Sequence, residues 1–150
     1  ARPSVYDGKE YALTQGLHVY QPLKMKDGTA LELVRSLAPE LIVVAAYGRI
    51  LPEDILNTPK YGAINVHSSI LPKYRGAAPI NWAILNGDTV TGVSIMYMAP
   101  ELDAGDVILC RETAIDPDED AVALTARLAE LGARALSETA AGGAWRGSAA

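Results

Sequence analysis

The sequence predicts an α/β domain: a sheet, parallel in its first part, flanked by helices. Three observations predict it. Apolar stretches of strand length alternate with segments of helical spacing across the 150 residues. One stretch, Leu41–Ala46, is apolar throughout, the pattern of a parallel strand covered on both faces. Polar residues gather where the strands would end, the place where open α/β sheets bind ligands.

The elements follow in order. Residues 5–15 suit a helix stopped at Gly16. Leu17–Tyr20, closed by Pro22, reads as a short strand. Asp27-Gly28-Thr29 opens a helix with Thr29 as its cap; Leu31, Val34 and Leu37 keep helical spacing and Pro39 ends it. After the strand at 41–46, Pro52 starts a short helix through Leu56. Gly62–His67 is the next strand, and residues 68–78 form a polar, glycine-containing loop. Pro79 suits the first turn of a helix running to about Asn86. Residues 90–98 and 106–113 are extended and rich in β-branched side chains. Ala121, Leu124, Leu128, Leu131 and Ala135 then recur at helical spacing behind the acidic stretch Asp116–Asp120.

Length and charge bound what the chain does. At 150 residues it suits one domain that buries a sizeable core without staples. Its single cysteine, Cys110, permits no internal disulfide and points to a reduced, cytoplasmic setting; within an apolar strand it reads as a packing residue. No apolar run approaches a membrane span. The net charge of −5 argues against a free-standing nucleic-acid binder. The charge is uneven, +2 over residues 1–75 and −7 over 76–150, so an anionic ligand favours the first half.

Asn65 and His67 stand two apart on one strand and so point to the same face. One offers an amide donor, the other a ring that exchanges a proton near neutral pH. Satisfaction by a neighbouring loop explains the pair about equally well. Asp103 and Asp106 are the acidic partners in reach of the argument, although an acidic loop is more often a solvated turn. His18 reads as structural. Ser68-Ser69 lacks the G-x-S-x-G setting of a nucleophile. Lys73 and Arg75 suit an anion or simple solvation. There is no zinc spacing, no G-x-G-x-x-G and no phosphate loop.

The run Ile64–Ile80, INVHSSILPKYRGAAPI, resembles the signature of the folate-dependent formyltransferases, and among them that of the methionyl-tRNA formyltransferases. TGVSIMYMAPELDAGDVI, residues 91–108, and YGRILP, residues 47–52, resemble the same family. The resemblance implies a Rossmann-like, mostly parallel sheet. It implies catalysis by Asn65, His67 and Asp103, the last lying 36 residues past the histidine. It implies folate contacts at Arg49, Ile50, Leu51, Met98 and Leu102, and acceptor or anion contacts at Ser68, Ser69, Lys73 and Arg75. The implied reaction moves a formyl group from 10-formyltetrahydrofolate, a consumed co-substrate, to the amino group of initiator methionyl-tRNA, with no metal. Arg75–Ile80, Arg-Gly-Ala-Ala-Pro-Ile, departs from glycinamide ribonucleotide formyltransferases, while sugar-amine formyltransferases fit the same motif. A small-molecule amine acceptor, a formate-releasing hydrolase and a non-catalytic folate-binding fragment are the alternatives. The family's first strand and its tRNA-holding parts have no counterpart here. The expected organisation is a catalytic domain over 1–140 lacking its N-terminal part, with 141–150 a linker or frayed terminus.

Overall fold

The computed structural model describes residues 7–98 and 105–149. Two helices, α1 (Asp7–Thr14) and α2 (Thr29–Leu37), precede β1 (Ile42–Ala45). A short α3 (Glu53–Leu56) leads to β2 (Ala63–His67), and α4 (Pro79–Leu85) to β3 (Val90–Tyr97). β4 (Val107–Ala114), α5 (Ala121–Gly142) and a 3-10 turn (Ala144–Ala149) complete the fold.

The strands lie in the order β1-β2-β3-β4. β1 and β2 are parallel, joined by the crossover through α3, whereas β2–β3 and β3–β4 are antiparallel. The α/β class is as expected, but the described sheet is mixed rather than mostly parallel. β1 is also less covered than its apolar run suggests. Its residues alternate half-buried and exposed, and Val43 is 46% exposed.

Strand alternation divides the sheet into two faces. Ile64, Val93 and Ile95 form one face, closed by Leu124, Leu128 and Ala135 of α5 in a continuous buried cluster. The spacing of those three α5 residues keeps one side of the helix on the strands. Ala63, Asn65 and His67 of β2 point the other way, level with Met96 and Ser94 of β3. Their direction thus follows from the burial of Ile64 and its neighbours.

α5 begins as the acidic stretch predicts: the Asp120 carboxylate accepts from the Ala123 amide at 2.8 Å. Arg127, one turn on, ties the end of β4 to the helix. It donates to the Ala114 carbonyl at 2.6 Å, to Thr113 Oγ1 at 2.8 Å, and to both carboxylate oxygens of Glu119 at 2.7 Å. This hydrogen-bonded pairing holds the Glu119 carboxyl below the usual carboxylate range and raises the Arg127 guanidinium.

Two local expectations need correction. Leu17–Tyr20 is irregular, with Leu17, His18 and Tyr20 exposed. Four residues of suitable composition form no strand when no ladder partner among the described residues lies beside them. The cap of α2 is Gly28, with φ 91, and Asp27 Oδ1 rather than the Thr29 hydroxyl accepts an end amide, that of Thr29 itself at 3.0 Å. The Gly/Ala-rich C-terminal stretch is docked at Trp145, which is 7% exposed. Its ring meets Tyr61 edge-on at 5.1 Å, and its carbonyl accepts from the Tyr97 hydroxyl at 2.8 Å. One aromatic side chain supplies an anchor that the small residues around it lack.

Two outcomes are expected. Leu128→Ala leaves a cavity beneath α5 and lowers unfolding stability by about 2–5 kcal/mol in urea titrations. Glu119→Gln lowers stability at neutral pH, where the Glu119 carboxylate is ionised and paired. Because the folded-state pKa is depressed, that contribution is present above the ordinary carboxylate pKa and fades as pH falls through the lowered value. Thermal melts of wild type and Glu119→Gln therefore converge on acidification.

Candidate active site

His67 is the last residue of β2 and is 7% exposed. Its Nε2 lies 2.9 Å from the Tyr74 carbonyl oxygen, in the loop that leaves the strand. Asn65, half-buried, sits on the same face two residues earlier. The loop over 68–75 does not stand free. Ser94 of β3, fully buried, donates its hydroxyl to the Ser69 carbonyl at 2.7 Å and accepts the Leu71 amide at 3.2 Å. Ser69 Oγ in turn donates to the Lys73 carbonyl at 2.6 Å. Gly92, two residues before Ser94, completes the fit: a Cβ there would run into Ile70 Cδ1 and the Arg111 carbonyl. A serine and a glycine on one face of β3 thus seat the loop over the strand carrying the histidine.

Beyond His67 a recess of about 300 Å³ opens, lined by His67, Ser68, Gly76, Ala78 and Asn81 among others. Ser68 borders it. Ser69, expected to contact the acceptor, is 1% exposed, and its hydroxyl closes the loop internally. Lys73 and Arg75 are exposed on the same loop, Lys73 lying 3.8 Å from the Asp88 carboxylate. Ser94, Tyr74 and Asp88 have no part in the sequence reading. Of the three, Ser94 alone carries a signal, a polar residue between the apolar Val93 and Ile95 and in step with Gly92 and Met96.

Among the described residues, the other candidates sit on other segments. The Arg49 guanidinium donates to the Pro22 and Leu23 carbonyls at 2.9 and 3.0 Å, stapling two loops. Ile50 is 86% exposed, and Leu51 borders an apolar recess of about 250 Å³ along β1 with Val43, Val44 and Tyr47. Strand direction decides where the described ends of the β3–β4 connection lie. β3 runs antiparallel to β2, so Tyr97 pairs with Ile64 and Met98 donates to the Ala63 carbonyl, at the edge opposite His67. Asp106, whose carbonyl accepts from the Tyr97 amide, has its backbone at that edge. It lies about 10 Å along the strand from His67, at ~3.3 Å per residue. Leu102 and Asp103 lie outside the described residues.

Comparison with known proteins places this geometry. The formyl transferase family model matches residues 3–140. The chain belongs to the formyl transferase family. It is 57% identical over 132 residues to the methionyl-tRNA formyltransferase of Caldanaerobacter subterraneus subsp. tengcongensis, covering 87% of this chain and 43% of the relative. It is 55% identical over 128 residues to that of Fusobacterium nucleatum, covering 85% and 41%. The chain thus spans less than half the length of these relatives. Among solved structures it is similar to phosphoribosylglycinamide formyltransferase from Streptococcus pneumoniae, with TM-score 0.77 and 25% identity over 85% of this chain and 75% of that one. A formyltetrahydrofolate deformylase from Pseudomonas syringae pv. tomato is also similar, with TM-score 0.75 and 25% identity, covering 89% and 47%. Both are consistent with a Rossmann-like formyltransferase fold. Among the described residues no helix is long and apolar enough to cross a membrane.

Ser94→Ala removes the partner of the Leu71 amide and the Ser69 carbonyl, both beneath the loop. Leaving such buried groups unpaired costs about 1–3 kcal/mol. Urea unfolding is expected to register that loss, and hydrogen exchange at the Leu71 amide to accelerate.

Proposed function

We propose that this domain transfers a formyl group from 10-formyltetrahydrofolate to the amino group of initiator methionyl-tRNA, a cytoplasmic step of protein synthesis. The observation that carries the reading is the pairing of Asn65 and His67 on one strand face, inside a family match spanning residues 3–140. The acceptor rests on relatives at 55–57% identity that are named methionyl-tRNA formyltransferases.

The chemistry asks for what these residues offer. The amine nitrogen attacks the formyl carbon, negative charge builds on the formyl oxygen, and the carbon–nitrogen bond to the folate then breaks. The amine loses a proton and the departing folate nitrogen gains one. Donors preset at the oxygen stabilise the charged species, one such donor being worth about 3 kcal/mol. The Asn65 amide and a protonated His67 ring supply them. Asp103 is the third member: its carboxylate favours the charged imidazole and takes the amine proton, directly or through a water. The route is long enough. Asp103 is five residues past Met98, a span of up to ~17 Å, and Asn65 and His67 are about 7 Å apart along β2.

The folate donor lies between Arg49–Leu51 and the connection from Met98 to Leu102, in this reading. The exposed apolar side chains Val43, Tyr47 and Ile50 suit a flat ring. With its guanidinium bound to the Pro22 and Leu23 carbonyls, Arg49 shapes this wall rather than pairing with the donor. Ser68, Lys73 and Arg75 flank the acceptor, the two cations suiting the phosphates of a tRNA end. The amine of a small molecule is the second reading, favoured by the similarity to a phosphoribosylglycinamide formyltransferase.

Formyl transfer to charged initiator tRNA, measured in the complete protein, is the test. His67→Gln and Asp103→Asn are each expected to lower kcat at least a hundredfold, the scale of losing a proton-transfer group, about 10²–10⁴. Equal transfer to a sugar amine or glycinamide ribonucleotide would move the assignment to the second reading. Titration with a folate analogue is expected to shift the amide signals of Arg49–Leu51 and Met98 together; signals that stay still would remove both segments from the donor site.

A further inference from the structure

The atom that meets His67 Nε2 is a backbone carbonyl oxygen, that of Tyr74. A carbonyl only accepts, so Nε2 carries the proton and donates it. The neutral ring is thereby the Nε2–H tautomer, and a proton exchanged with a reacting group moves through Nδ1.

The carbonyl is delivered by a backbone that this residue type seldom adopts. Tyr74 has φ 56, in the left-handed region. Its phenol supplies an anchor: the hydroxyl donates to Asp88 Oδ2 at 2.6 Å and accepts from Asn86 Nδ2 at 3.0 Å. Asp88 is itself set in the turn between α4 and β3, where its amide donates to the Ala83 carbonyl at 3.0 Å, and its side chain is 16% exposed. On the other side of Tyr74, the Lys73 carbonyl is held by Ser69 Oγ.

We infer that Tyr74 and Asp88 are positioning residues for His67: the phenol–carboxylate bond holds the Tyr74 carbonyl in line with Nε2 and so fixes the ring's tautomer and orientation. The lever runs from a turn 21 residues downstream of the histidine, through a side chain, to one backbone oxygen. Its importance for catalysis rests on the role proposed for His67 above.

Nitrogen NMR of the two imidazoles, recorded across a pH series, reads the tautomer directly. His18→Gln assigns the signals. Wild type is expected to show His67 as the Nε2–H form. Tyr74→Phe and Asp88→Ala are expected to give an averaged pattern of both tautomers, whereas Asp88→Asn retains the wild-type pattern because an amide oxygen still accepts the phenol. In formyl transfer, Tyr74→Phe is expected to lose about tenfold in kcat with the donor KM unchanged, the lower end of what losing a histidine's orienting partner costs. Asp88→Asn stays near wild type. A folded Tyr74→Phe chain with the unaltered His67 pattern would overturn the inference. If Tyr74→Phe does not fold, identical patterns in Asp88→Ala and Asp88→Asn overturn it equally. Undiminished transfer by His67→Gln would instead remove the catalytic reading of the site and leave the spectroscopic result standing.

Discussion

Helix α5 lies against β2 and β3 so closely that a Cβ at Gly132 would stand 3.1 Å from Val66 Cγ1. With Leu124 and Leu128 it buries Ile64, Val93 and Ile95 on one face of the sheet. The period of two then leaves Asn65 and His67 no choice of side, because a one-residue slip would drive them into the apolar layer and push Ile64 and Val66 out of it. The functional face is therefore set by hydrophobic burial behind it, and the 22-residue helix stands as the back wall of the site although it contributes few groups to it.

The loop after His67 adds the second constraint. It is seated from β3, through the Ser94 hydroxyl and the space at Gly92, and from the α4–β3 turn, through Asp88. A histidine at the end of an isolated strand would have freedom in χ1 and χ2; here it has a fixed acceptor at Nε2. The site's order is thus a tertiary property assembled from three segments.

Whatever repeats along the chain was legible in it. The alternation that pairs Asn65 with His67 and the spacing of Leu124, Leu128 and Ala135 survive intact, since each is imposed by one element on its own residues. The long, tightly spaced signature at 64–80 pointed to the family before any fold was known. What the sequence concealed are links without a period. Tyr74 reaches Asp88 across 14 residues and Ser69 meets Ser94 across 25, and in both loops the acceptors include backbone carbonyls that every residue type possesses. Strand direction was hidden as well. The β2–β3 connection contains a helix, as a parallel crossover would, yet the strands it joins run antiparallel, which brings the end of β3 to the edge away from His67.

The anchors of the 68–75 loop all lie beneath it or at its ends, whereas Pro72, Lys73 and Arg75 face outward. The Lys73 carbonyl is bound, while its side chain, mostly in solvent, lies 3.8 Å from the Asp88 carboxylate and 5.9 Å from the centre of the Tyr74 ring. Arg75 is therefore replaceable without disturbing the buried serines or the acceptor at His67, whereas Lys73 touches the Tyr74–Asp88 pair itself. With the acceptor contact proposed for Arg75, such a division would let a lineage keep its buried anchors and drift among recipients. The differing recipients in the names of this chain's relatives, a methionyl-tRNA in one group and a phosphoribosylglycinamide in another, are what a loop fastened from below would leave evolution free to explore.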